Sequence, residues 1–243
     1  QWDIRASTNW ALLSDGSPAT YYDQTVTMFD DTAARSTVTV AQAVSPSSVT
    51  VSNQALRYEF GGASIGGGGP LTKRGPGTLS LTTSNSYSGG TYVEGGNLEV
   101  STASLFGNVC LTNTQSNAVL VFSQSGNGSY GGWIYGSGGV TKGDTGTVSF
   151  ACATNIYSGV TIVGGGALNA AALSNYGVSS SIGNRALDTG GNDMGLLFRG
   201  GTLQYTGNTP QSTDREIRMG LAGGTIDASG GTSNAILTFT HTG

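Results

Sequence analysis

Charge is the first thing this sequence is short of. Only 10% of its 243 residues are Asp, Glu, Lys or Arg, where globular chains average roughly 25%. The ten basic residues sit in a chain of net charge −4 and form no stripe that would neutralise phosphates, so nucleic acid is not expected as a partner. Histidine occurs once, at His241, and cysteine twice, at Cys110 and Cys152. A metal site needs more ligands than these, so no metal and no cofactor is expected. No run of eighteen apolar residues appears, and no membrane insertion is expected. Five prolines without a Gly-x-y period exclude collagen. No stretch combines a 3.6-residue apolar period with caps, so helix content should be very low.

Glycine is what the chain has instead, at 41 residues, more than double the usual share of roughly 7%. Val, Ile, Leu and aromatic residues remain frequent enough for a core, which separates the chain from a disordered Gly/Ser linker. Between the glycines run short alternating segments such as Thr25–Phe29, Thr37–Val40, Ser48–Ser52 and Leu56–Phe60. Their period of two is that of strands with one buried face.

The strongest signal is a long internal repeat. Thr72-Lys73 recurs as Thr141-Lys142, and Gly77-Thr78-Leu79-Ser80-Leu81 as Gly146-Thr147-Val148-Ser149-Phe150. Asn85-x-Tyr87-Ser88-Gly89 returns as Asn155-x-Tyr157-Ser158-Gly159, and Thr91-x-Val93-x-Gly95-Gly96-x-Leu98 as Thr161-x-Val163-x-Gly165-Gly166-x-Leu168. A Gly-Gly-x-Leu/Ile step also recurs at Gly200 and Gly223. Self-similarity at a long period points to stacked supersecondary units. The expected fold is all-β, a single-stranded β-solenoid (β-helix) of roughly ten rungs, each of about 20–23 residues, with short strands and Gly-rich turns. Residues 1–60 read as an N-terminal β region or cap, 61–172 as the two-copy solenoid, and 173–243 as an irregular loop followed by C-terminal rungs.

These repeats resemble the autotransporter-associated β-strand repeat, also called the passenger-associated transport repeat, of bacterial secreted and surface proteins. The first copy matches nearly every fixed position of the form L-T-K-x-G-x-G-T-L-x-L-x-x-x-N-x-Y-x-G-x-T-x-V-x-x-G-x-L, and the second substitutes Val148, Phe150 and Val160. The stretch from Phe29 to Val51 resembles what often precedes the repeat in such proteins. The resemblance implies a β-helical passenger region, exported and displayed at the cell surface or released from it. It implies scaffold and transport, not a reaction. The family's C-terminal membrane barrel has no counterpart in this sequence, so a processed passenger piece or a freely secreted relative is expected.

Each candidate site stands beside a bland alternative. Gly62-Ala63-Ser64-Ile65-Gly66 matches the G-x-S-x-G of a nucleophile elbow, yet no helix follows it and the single histidine lies at the far end of the chain. Asp188, Asp193, Asp214 and Glu216, with Arg199, Arg215 and Arg218 near them, are where a polysaccharide lyase or hydrolase reading would live; the alternative is surface charge beside turns. Tyr130, Trp133 and Tyr135 form the best candidate patch for glycan stacking, against a role in core or cap. Cys110 and Cys152 are read either as one disulfide or as two buried thiols. Asn85 and Asn155 are expected to make turn or ladder hydrogen bonds at a corner.

A solenoid's end rungs carry unpaired backbone groups. Trp2 and Ile4 at one end, and Ile236, Leu237 and Phe239 at the other, are therefore candidate subunit contacts. The first functional reading is a non-catalytic extracellular structural protein that polymerises with copies of itself, end to end through β-strand contacts, into a filament. Next comes an adhesin-type passenger binding glycans or cells, with cell-surface or extracellular polysaccharide as a partner. The polysaccharide lyase or hydrolase is third. The chain begins at Gln1, as a mature secreted chain would after removal of a signal peptide, and an extracellular or cell-surface location is expected.

Overall fold

The computed structural model describes residues 1–186, 194–231 and 236–241. Among them there is no helix, and the chain coils into a β-solenoid of about nine turns. One nine-stranded sheet runs the length of the stack, from Thr37–Val40 to Ile217–Met219. A seven-stranded sheet, from Val26–Asp30 to Ile156–Tyr157, forms a second face. A five-stranded sheet, from Gly128–Tyr130 to Thr225–Asp227, forms a third in the C-terminal half. Every pairing within these sheets is parallel, as a coil wound in one direction requires. At about 4.8 Å per strand the stack is roughly 40 Å long.

Alternation decides what fills the interior. In the nine-stranded sheet Tyr58, Leu79, Leu98, Leu120 and Val140 occupy one inward column, each in register with the next. Val49, Leu71, Thr91, Val109 and Ile134 do the same in the seven-stranded sheet. These residues are almost wholly buried, so the solenoid has one continuous apolar core. Truncating one such leucine to alanine costs about 2–5 kcal/mol.

The repeat residues are the polar members of that interior. Lys73 lies in phase with Leu71, points inward between Val51 and Val93, and is fully buried. Its ammonium donates to the carbonyls of Arg74 at 2.6 Å, Gly75 at 2.7 Å and, one turn on, Gly95 at 3.3 Å. Burial pulls its pKa down to about 8, against an opposing pull from Asp31. Lys142 repeats the arrangement with the carbonyls of Asp144 and Gly165, and burial lowers its pKa as well. Asn85 stitches three successive turns: its Oδ1 accepts from the Ile65 amide, and its Nδ2 donates to Thr83 O and Ser104 O. Asn155 does the same for Ile134, Cys152 and Ser181. The inward hydroxyls of Thr91 and Thr161 are met by Tyr87 at 2.9 Å and Tyr157 at 2.8 Å. The ladder role expected of both asparagines is what the structure shows.

The two copies do not share a face. Three turns carry the chain from Leu71 through Thr91 and Val109 to Ile134 within the seven-stranded sheet. The second copy begins at Val140, on the nine-stranded sheet. The repeat is thus three turns plus one face, not a whole number of turns. The register steps between neighbouring turns are also uneven, because the corners differ in length.

The two ends differ. Trp2 bridges to Val40 and extends the edge of the nine-stranded sheet, with its amide on Thr39 O at 2.7 Å and its carbonyl receiving the Ala41 amide at 2.8 Å. Its ring, wholly buried, packs against Trp10, Tyr21, Phe29 and Phe60. An antiparallel pair, Trp10–Ala11 with Pro18–Ala19, covers this cluster. Trp2, expected at a subunit contact, is instead spent inside its own chain's cap, and Ile4 packs against the same core. At the other end Ile217–Met219, Thr225–Asp227 and Leu237–Phe239 close their sheets, with no further strand beyond them among the described residues. Leu237 is partly buried there, while Met219, Leu221, Ile236 and Phe239 are exposed.

Candidate functional site

The outward faces carry whatever the core does not use. In the seven-stranded sheet Tyr92, Cys110, Tyr135 and Ile156 alternate outward and stand in register on four successive turns. Trp133, just before the strand Ile134–Gly136, lays its ring parallel to that of Tyr135, with centroids 4.6 Å apart and planes at 22°. Trp133 is held from two sides. Its amide donates to Asn108 Oδ1 at 2.9 Å, and its indole N–H donates to Thr154 O at 3.1 Å. Tyr92 and Trp133 remain 38% and 37% exposed. Between Tyr92 and Tyr135 lies an open depression of roughly 290 Å³, lined also by Ser88, Gly89, Gly90, Thr91, Gly107 and Asn108.

Tyr130 does not belong to this patch. It ends a strand of the five-stranded sheet with its ring inward against Phe122 and Phe150's layer, and its hydroxyl donates to Gly107 O at 2.5 Å. Burial raises its pKa far above the usual tyrosine range. Sequence reasoning missed Tyr92, although the signal was there: Thr91 and Val93 point in, so the residue between them points out.

Cys110 and Cys152 are free thiols. Cys110 faces outward from the seven-stranded sheet, whereas Cys152 follows Thr147–Phe150 of the five-stranded sheet, with Sγ 3.7 Å from Thr154 Oγ1. Of the two alternatives the structure shows free thiols rather than a disulfide, and each is partly exposed rather than buried.

In the acidic region the described carboxylates are engaged with other partners. Asp188 and Asp193 lie outside them. Asp214 caps the Tyr176 amide at 2.8 Å, and Glu216 pairs with Arg218 at 2.6 Å. Arg215 is buried, donating to the carbonyls of Ser174 and Gly183 at 2.8 Å each. Among the described residues no group of three or more His, Cys, Asp or Glu is placed to hold a metal ion. Within Gly62-Ala63-Ser64-Ile65-Gly66, Ile65 bridges to Val44 as part of the stack, and Ser64 O receives the Val44 amide at 3.1 Å. His241 sits beside Asp214 O at the opposite end.

A family model described as the passenger-associated transport repeat matches residues 71–100 and 140–170, the two segments whose Lys, Asn, Tyr and Thr contacts recur above. The chain therefore carries this repeat twice. Among curated proteins, the Adhesin BmaC autotransporter of Brucella suis biovar 1 (strain 1330) is 35% identical over 230 residues, covering 79% of this chain and 6% of that protein. The chain thus spans only a small part of the length of this relative. No solved structure matches it.

Proposed function

We propose that this chain, a carrier of two passenger-associated transport repeats, is a non-catalytic segment of a bacterial surface or secreted protein that works by adhesion. Its inward residues fix a rigid rod, and its outward residues, free of that constraint, supply the contact surface. The observation that supports the reading most is the likeness to an adhesin along most of the chain. Beads coated with the purified chain should adhere saturably to cells or extracellular matrix. Beads that stay unbound across a panel of such surfaces would remove the reading, as would turnover of a polysaccharide by the purified chain.

A second reading, end-to-end association of copies, is favoured by the apolar Met219, Leu221, Ile236 and Phe239, exposed at the last rung of the described residues. With the other end covered by the Trp2 cluster, such contact closes as a pair of rods rather than propagating as the filament expected from the sequence. Sedimentation at increasing concentration should then reach a dimer that a Leu221→Asp, Phe239→Asp variant cannot form. Monomers at every concentration would end this reading.

A further inference from the structure

We propose that the depression between Tyr92 and Tyr135, with Trp133 stacked on Tyr135 beside it, is a binding site for a neutral saccharide. The proposal takes its setting from the adhesive reading, which it deepens by naming a ligand class. A pyranose ring presents a C–H-rich face and a hydroxyl-bearing rim. Its face suits the electron-rich surface of an aromatic ring, and here Tyr92 and Trp133 stand exposed on the two turns that flank that of Cys110. Its rim needs neutral donors and acceptors, which Ser88 and Asn108 supply at the edge of the depression. Asn108 has given its Oδ1 to the Trp133 amide, so its NH₂ remains as the donor end of the group.

Charge decides against other ligands. No charged residue lines the depression. Glu94, two residues beyond Tyr92, is paired with Arg74 at 2.8 Å. A phosphate, sulfate or carboxylate would find no partner of opposite sign there. Three of the lining residues, Gly89, Gly90 and Gly107, carry no side chain, which leaves room for a ring beside the tyrosines. The platform is also fixed before any ligand arrives. Trp133 is held by Asn108 and Thr154 and stacks on Tyr135, which reduces the ordering that binding would otherwise impose.

The test titrates the whole chain with a panel of neutral hexose and N-acetylhexosamine oligosaccharides, with sulfated counterparts alongside, by calorimetry. At least one neutral member should bind, with an affinity insensitive to salt. A Tyr92→Ser, Tyr135→Ser variant should bind roughly tenfold more weakly, as expected for the loss of two stacking rings, while its melting temperature confirms the fold. Acrylamide quenching supplies a second readout on the unaltered fold: the sugar should shield tryptophan fluorescence, and Trp133→Phe should abolish the shielding. Binding by no neutral member, equal binding by the double variant, or a preference for sulfated chains would each overturn the site. The same proteins on beads separate the two readings. Beads that adhere equally with and without the tyrosines keep adhesion and remove the saccharide site from it. Sugar binding without adhesion keeps the site and removes the adhesive reading.

Discussion

The two repeat copies hold the same contacts on different faces of the rod. Lys73, Asn85, and the Tyr87–Thr91 pair belong to a copy that begins on the seven-stranded sheet, and Lys142, Asn155, and the Tyr157–Thr161 pair to one that begins on the nine-stranded sheet. Each asparagine still reaches one turn back and one turn forward. The motif therefore specifies contacts between three successive turns and is indifferent to which face carries them. The surroundings differ more than the motifs do. After the first copy the chain goes around a short corner to Val109–Leu111, whereas no strand is found among the described residues between the second copy's Ala170 and Leu196.

The substitution most able to break the likeness is at the motif glycine before the threonine strand. A Cβ at Gly89 would lie 2.5 Å from Gly69 C and Pro70 N, and one at Gly159 would lie 2.3 Å from Gly138 O. Each is a contact with the backbone of the preceding turn, which cannot yield without lifting that turn. Gly89→Ala and Gly159→Ala should each destabilise by about 3 kcal/mol or more, read by chemical denaturation. A mild effect in one copy alone would mean that its corner relaxes and that the copies are not mechanically equivalent.

Next come the asparagines. Asn85→Ala and Asn155→Ala each leave a buried backbone amide and two carbonyls short of a partner, at a cost of about 2–3 kcal/mol. Equal losses would confirm the shared three-turn clamp. A smaller loss for Asn155→Ala would place the weakness in the Ser181 contact, which crosses the longer excursion.

Much of this was legible in the sequence, and the reason is periodicity. Alternation marked the strands, the repeat marked the stacking, and an Asn at a glycine corner had to bond locally. What escaped was register. The step from Val109 to Ile134 is longer than that from Thr91 to Val109, and only pairing reveals it. Without it, neither the one-face rotation of the second copy nor the placement of Tyr92 and Tyr135 on one depression could be read. For Tyr130, of the two roles open to it, the structure shows the core one, because the third face takes a large residue there. The inward lysine was legible and overlooked. Lys73 is two residues from Leu71, and the same alternation that buries one buries the other.

That lysine gives a pH signature to compare between copies. Burial holds the Lys73 pKa at about 8, below the ordinary value near 10.4 that it regains on unfolding. Between those two values the unfolded chain binds more protons than the folded one, so stability rises with pH through this window and is at its floor below pH 8. Lys73→Met removes donors from buried carbonyls and should cost about 1–2 kcal/mol at pH 7. The cost should be larger at pH 9.5 than at pH 7, because only the parent protein gains over that range. Lys142→Met should show the same sign, its lysine being lowered by the same cause. A pH-independent difference between parent and variant would show that the ammonium keeps its charge with no penalty in the core.

The smallest expected effect tests the finest part of the correspondence. Tyr87 and Tyr157 are buried, and each shares one side-chain hydrogen bond with the threonine four residues on. Phe in place of either tyrosine keeps the ring and removes its bond to the threonine hydroxyl, while Val in place of the threonine orphans the phenol. Each single change should cost about 1 kcal/mol. The Tyr87→Phe, Thr91→Val pair should cost less than the sum of its parts, since both partners leave together. In the second copy Thr161 also donates to Ile182 O at 3.3 Å. Tyr157→Phe therefore leaves that hydroxyl a remaining acceptor, and its coupling to Thr161→Val should be weaker than in the first copy. A stronger coupling there would mean that the extra bond to Ile182 tightens the pair instead of competing with it.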